Sequence, residues 1–129
     1  MCRKVAETPE GGVIEMWGDG KQTRSFLHYT ECLDGVRKLM DSDFEGPVNI
    51  GSDEMVTINQ LAEIAMAAAG KTLSINHIDG PIGVMGRNSD NVLIKEKLNW
   101  APTQPLSEGI KRTFDWINEQ VQASETVSA

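Results

Sequence analysis

The chain has 129 residues, 40% of them hydrophobic, which suits one compact domain with a modest core. Lys plus Arg number 12 against 19 for Asp plus Glu, a formal net charge of -7 that argues against nucleic acid or an anionic membrane surface as the main partner. Cys2 and Cys32 give no metal spacing and no disulfide framework, no signal-peptide pattern opens the chain, and no apolar run could span a bilayer, so a soluble cytoplasmic domain is expected.

Strands and helices are expected to alternate. Val13 to Trp17 reads as a strand ending at the Gly18-Asp19-Gly20 turn, where two glycines permit positive φ. A helix with Thr30 as N-cap follows to Met40, carrying Leu33, Val36, Leu39 and Met40 on one face. Val48 to Ile50 reads as a short strand released by Gly51. Thr57 and Gln60 form a capping box for the next helix, whose apolar stripe is Ile58, Leu61, Ile64, Ala65 and Ala68 and whose stop is Gly70. Leu73 to Ile78 is a further strand, and a loop holding Pro81 runs from Gly80 to Gly86. Ser89 or Asp90 caps a short helix through Leu98, ended by Asn99 and by Pro102 beyond it. Ser107 caps the last helix, with Ile110, Phe114, Ile117 and Val121 on its buried side. Residues 1–122 form the folded region, and 123–129, small and polar, read as a disordered tail.

Arg24 and Arg87 are the residues that suggest a function. Each sits in a turning segment next to incipient regular structure, and the planar guanidinium fork suits a phosphate or carboxylate. The alternatives are an ordinary surface arginine at 24 and, for Arg87, an ion pair with Asp90. Asn88 and Ser89 either touch the same ligand or cap the following helix. Trp17 and Trp100 read as core or hinge packing, His28 and His77 as structural histidines, and Cys32 as a packed small hydrophobe.

Several motifs occur in order: Glu15 to Gly20, Gln22-Thr23-Arg24-Ser25-Phe26, Pro47 to Glu54, Gly86-Arg87-Asn88-Ser89-Asp90-Asn91, Ile94 to Leu98, and Trp100-Ala101-Pro102. Together they resemble the C-terminal part of an extended short-chain dehydrogenase/reductase acting on nucleotide sugars. The Gly86–Asn91 run is similar to that family's GDP-mannose 3,5-epimerase branch. The resemblance implies an α/β fold: the C-terminal substrate-binding part, with short strands alternating with about four helices and no complete Rossmann domain. It implies Arg24, Arg87, Asn88 and Ser89 as substrate-binding residues. For the whole enzyme it implies oxidation of a sugar hydroxyl by NAD, inversion beside the new ketone, and reduction back.

The motifs for that chemistry are missing from these residues. There is no G-x-G-x-x-G, Gly11-Gly12 follows no strand, and the only tyrosine, Tyr29, has Leu33 where the family's Tyr-x-x-x-Lys needs lysine. No catalytic, cofactor-binding or metal residue is therefore assigned, and NAD is implied only for the complete enzyme. Two positions depart from the family pattern. Ser25 replaces an aspartate common after the arginine, and His28-Tyr29-Thr30-Glu31-Cys32 replaces a usual Val-Asp-Asp stretch. The reading is a nucleotide-sugar-binding half of an NAD-dependent epimerase, partnered by the missing cofactor half or by itself as a homodimer. The alternative is a free-standing, non-catalytic binding or oligomerisation module.

Overall fold

The computed structural model describes residues 1–127. In chain order the elements are α1 (Cys2–Glu7), β1 (Val13–Trp17), β2 (Thr23–Ser25), α2 (Tyr29–Met40), β3 (Met55–Thr57), α3 (Ile58–Ala69), β4 (Ser74–Ile78), β5 (Gly86–Arg87), α4 (Val92–Leu98) and α5 (Leu106–Val127). The α/β alternation is as expected, with five helices among the described residues rather than about four.

The helix that sequence reasoning missed is α1. Six residues are too few to hold a helix alone, and only Cys2 and Val5 mark its buried side. Its closing turn is held from a distance: Lys71 Nζ donates to the carbonyls of Val5, Ala6 and Thr8 at 3.0, 2.9 and 2.7 Å. Those are groups that a helix end leaves without partners. Val5 then joins Cys2, Ile14, Met16, Ala62, Ala65, Leu73 and Phe114 in the main core, where α1, β1, α3 and α5 meet.

The strands divide into two small sheets. β1 and β4 pair in parallel, Val13 opposite Ser74 through Trp17 opposite Ile78, and Ile14 and Met16 point inward. The second sheet has the order β3-β2-β5, with β2 antiparallel to β3 and parallel to β5. None of its strands exceeds three residues, and none was expected from sequence; Arg24 lies on a strand, not in a loop.

Five other expectations change. Val48 to Ile50 is irregular, because no strand among the described residues lies beside it to complete a ladder. His28, not Thr30, caps α2, its Nδ1 accepting from the Thr30 N–H at 3.4 Å. Asn91 holds the cap position of α4 while the Asp90 carboxylate accepts from Val92 N–H at 3.0 Å. At the start of α5 the cap is supplied from elsewhere in the chain: Leu106 N–H donates to Glu54 Oε2 at 2.8 Å, and Ser107 is not used. Helix α5 continues to Val127, well into the stretch read as a tail; residues 128–129 lie outside the described residues.

The α3 reading holds in full. Gln60 N–H donates to Thr57 Oγ1 at 3.1 Å, Thr57 N–H donates to Gln60 Oε1 at 2.8 Å, and Gly70 closes the helix at φ 64°. The tryptophans separate. Trp100 is 2% exposed and donates its indole N–H to Asp34 at 3.1 Å. Trp17 is 57% exposed and lies against Gly80, because position 17 faces outward in the alternation that turns Met16 in.

Gly35 shows how tightly α2 is seated. A Cβ there would stand 2.7 Å from Ile50 Cγ2 and 3.1 Å from the Trp100 ring. Gly to Ala in an exposed helix interior stabilises by about 1 kcal/mol. Gly35→Ala should instead destabilise, because it separates α2 from Trp100 and Ile50. Urea unfolding checks the sign, and a raised midpoint would refute this packing.

Candidate functional site

The site begins with the turn after β1. Gly18 and Gly20 adopt φ 72° and 68°, values that favour glycine, and the Asp19 carboxylate accepts from Lys21 N–H at 3.0 Å. That backbone hydrogen bond is the main reason the Asp19 carboxyl titrates below its ordinary range. The first turn of α3 clasps the other side. Asn59 N–H donates to Gly20 O and Ile58 N–H to Gln22 O, both at 3.1 Å, while Asn59 Nδ2 donates to Asp19 O at 3.0 Å. From this turn the chain enters β2.

The two arginines come together there. Arg24 and Arg87 are register partners on β2 and β5, and residues directly opposite on neighbouring strands share a face. Arg24 also pairs with Val56 on β3. Along this row Val56 is buried, Arg24 half-buried and Arg87 exposed. Among the described residues, no carboxylate forms an ion pair with either arginine. The Asp90 alternative for Arg87 therefore fails, since that carboxylate turns to Val92 N–H. Arg24 is anchored: Nη1 donates to Thr23 O and Nη2 to Val84 O, both at 2.7 Å. A guanidinium carries five N–H donors, so the anchored side chain keeps donors for a ligand.

Asn88 and Ser89 follow Arg87 on the same run, and both have local partners. Asn88 Oδ1 accepts from Ser89 N–H at 2.9 Å, and Ser89 Oγ donates to Asn91 Oδ1 at 2.7 Å. Asn91 Nδ2 then reaches Gly51 O at 2.8 Å, and the Ser89 side chain fills the space where Gly51 has no Cβ. In this arrangement Ser89 stitches the run to the Asn49–Gly51 segment. A groove of about 530 Å³ lies nearby between Pro47–Asn49 and α4, but Asp90 and Glu96 line it, which does not suit an anion.

No protein-family model matches the chain. The GDP-mannose 3,5-epimerase 1 of Oryza sativa subsp. indica is 54% identical over 125 residues, 97% of this chain and 32% of that protein. The GDP-mannose 3,5-epimerase of Arabidopsis thaliana is 55% identical over 121 residues, 94% of this chain and 32% of that protein. Over nearly its whole length the chain is similar in sequence to one part of the GDP-mannose 3,5-epimerases. It spans about a third of the length of these curated relatives, at 32%. Solved structures agree on the fold. UDP-glucose 4-epimerase from Thermotoga maritima, with UDP-glucose, superposes at TM-score 0.82 with 23% identity, over 93% of this chain and 38% of that one. UDP-glucuronic acid 4-epimerase from Bacillus cereus, with UDP-glucuronic acid and NAD, gives 0.80 with 23% identity, over 92% and 38%.

The residues in hand do not fit NAD. A dinucleotide pyrophosphate sits on a helix N-terminus after a strand and a glycine-rich turn. Here the Gly18–Gly20 turn leads into strand β2. Among the described residues no group of three or more His, Cys, Asp or Glu could hold a metal ion, and no helix is long and apolar enough to cross a membrane.

Sequence reasoning missed the residues that hold the site. Asn59 carries no local signal beyond being a polar residue of the first helical turn, and the pairing of Arg24 with Arg87 depends on strands too short to leave a periodic signal. Both histidines have polar neighbours within hydrogen-bond distance. His77 Nε2 lies 2.9 Å from Asn59 Oδ1. His28 caps α2 and also lies 2.7 Å from Thr30 Oγ1 through Nδ1. Glu31, on the first turn of α2, ties that turn to the lead-in of α5. Its Oε1 accepts from Thr103 N–H at 2.6 Å, Thr103 Oγ1 at 2.8 Å and Gln104 N–H at 3.0 Å. Burial pushes the Glu31 pKa up, but these hydrogen bonds outweigh it and the net shift is downward.

His28 gives the fold a pH dependence. Burial is the main cause that lowers its pKa, with the Arg112 charge adding to it. A protonated Nδ1 would also lose the lone pair that accepts from Thr30 N–H. The neutral form is therefore favoured in the folded chain, and the unfolded chain binds the extra proton more readily. His28's contribution is present above the unfolded pKa of about 6.5 and is lost as pH falls below it. The Glu31 contribution fades at lower pH, beneath the ordinary glutamate value of about 4.3. Urea unfolding at about pH 8 and about pH 5.5, either side of the ordinary histidine range, should show a drop in the parent. His28→Asn, a non-titrating cap, should reduce that drop.

Proposed function

We propose that this chain supplies the diphosphate- and sugar-binding half of an NAD-dependent nucleotide-sugar epimerase, with a GDP-mannose-like substrate. One observation carries the reading: Arg24 and Arg87 are adjacent on one sheet face with no carboxylate partner among the described residues. Two cations so placed await an anion of at least two charges, and a nucleoside diphosphate supplies it. Asn88 and Ser89, on the same run as Arg87, lie where the sugar would extend. Their role is to orient it, since the site positions and neutralises and performs no bond-making. The epimerase relatives supply the substrate class.

The cofactor half of such an enzyme is the proposed partner. Tyr29, Leu33, Val36 and Met40 are exposed at helical spacing along α2, and an unpartnered apolar stripe marks a docking face. In a chain by itself the same stripe favours a homodimer, and that supports the second reading, a non-catalytic binding or oligomerisation module. Light scattering across a concentration series separates dimer from monomer. The free Cys2 and Cys32 suit a reducing compartment, and the cytoplasm is the proposed location.

Isothermal titration tests the main reading. GDP and GDP-mannose should bind weakly and more weakly as salt rises, while NAD should not bind. A charge-assisted hydrogen bond to phosphate contributes about 1.5–3 kcal/mol. Arg24→Ala and Arg87→Ala should therefore each weaken GDP binding about tenfold or more, and lysine should restore only part because it lacks the fork. Arg87→Ala should leave the melting temperature unchanged, since that side chain holds nothing in the fold. Parent-like binding by both alanine variants would remove the clamp. Epimerisation of GDP-mannose by the chain alone would overturn the assignment of chemistry to a partner.

A further inference from the structure

We propose that Asn59 and His77 are a positioning pair for the anion site, holding the Gly18–Gly20 turn so that β2 presents Arg24 beside Arg87. The inference rests on the anion-binding reading above, but the geometry behind it is separate. Asn59 is committed at three atoms. Its backbone N–H donates to Gly20 O at 3.1 Å, its Nδ2 donates to Asp19 O at 3.0 Å, and its Oδ1 faces His77 Nε2 at 2.9 Å. The amide lies so close over Gly20 that a Cβ there would collide with it. Asn59 therefore binds two of the turn's carbonyls, those of Asp19 and Gly20, and excludes any side chain at its second glycine.

The direction of the His77 contact follows from chemistry. Nδ2 must donate to the Asp19 carbonyl, so Oδ1 is the acceptor and His77 Nε2 brings the proton. A neutral Nε2–H tautomer and an imidazolium both satisfy this. His77 sits on β4 opposite Met16 of β1, so it relates the turn to the sheet that the turn leaves. The turn is thereby fixed from the helix through Asn59 and from the sheet through His77.

Removing an exposed hydrogen bond at this pair should cost the fold little while loosening Arg24. Asn59→Ala and His77→Phe should weaken GDP binding about fivefold to tenfold, because a misplaced fork loses one of two phosphate contacts. Melting temperatures should stay near that of the parent. His77→Gln, whose amide N–H can replace Nε2–H, should restore binding, and a merely structural loss would not be reversed in this way.

Isotope-labelled NMR gives a second readout that needs no ligand. The Gly18 and Gly20 backbone amide signals and the Arg24 side-chain signals should move together in Asn59→Ala and His77→Phe and return in His77→Gln. Unmoved signals in the two disrupting variants overturn the pair even if GDP does not bind. If Arg24→Ala and Arg87→Ala lose GDP while Asn59→Ala and His77→Phe keep it, the clamp stands and the positioning pair is wrong.

Discussion

The first turn of α3 is the joint on which the site depends. A helix begins with backbone N–H groups that its own turns cannot satisfy, and here three of them have named partners. Ile58 N–H goes to Gln22 O, Asn59 N–H to Gly20 O and Gln60 N–H to Thr57 Oγ1. Two of those acceptors belong to the segment that leads to Arg24. The same helix carries Leu61, Ala62 and Ala65 into the two core clusters. Thr57, its cap, is also the last residue of β3, which pairs with β2. Core packing thus fixes the helix, the helix fixes the turn, and the turn together with β3 fixes the strand that holds Arg24.

What could be read from the sequence was what local chemistry decides. The Thr57–Gln60 capping box, the stop at Gly70 and the strand Val13–Trp17 each follow from residues near one another in the chain. What could not be read was decided across the chain. α1 needs Lys71 at its end, and the start of α5 needs Glu54. A three-residue strand such as β2 exists only because β3 and β5 lie beside it. Val48–Ile50 shows the converse, since apolar, strand-like residues stay irregular where no neighbour completes the ladder. From sequence Arg24 and Arg87 read as a clamp for an anion, but their register on neighbouring strands was not legible, because register is a tertiary property.

The unpartnered surfaces share a direction of argument. Leu33, Val36 and Met40 on α2 are exposed although Gly35, on the same helix, is packed against Trp100 and Ile50. One side of α2 is therefore fully integrated, while another presents apolar side chains with nothing over them. Both edges of the two-stranded sheet and the outer edge of β5 also lack a neighbouring strand among the described residues. Open edges and apolar stripes are the features that proteins cover or charge to avoid association.

Electrostatics makes the arginine pair more than a surface accident. The chain carries a net charge of -7, so its long-range field opposes an anionic ligand. At about 0.15 M salt that field fades over about 8 Å, whereas a bidentate contact acts at hydrogen-bond distance and is far less screened. Local geometry therefore has to outweigh the overall charge. Arg24 meets that demand because two carbonyls hold its guanidinium in advance, which lowers the conformational entropy lost when a phosphate binds. Arg87 meets it differently: no carboxylate competes for it among the described residues, and its backbone is set by pairing with β2. Mutual repulsion between two such cations is small while water surrounds them, and a diphosphate replaces it with attraction to both. In the proposed function, selectivity for a dianion comes from that placement, which a single arginine elsewhere on this acidic surface would not provide.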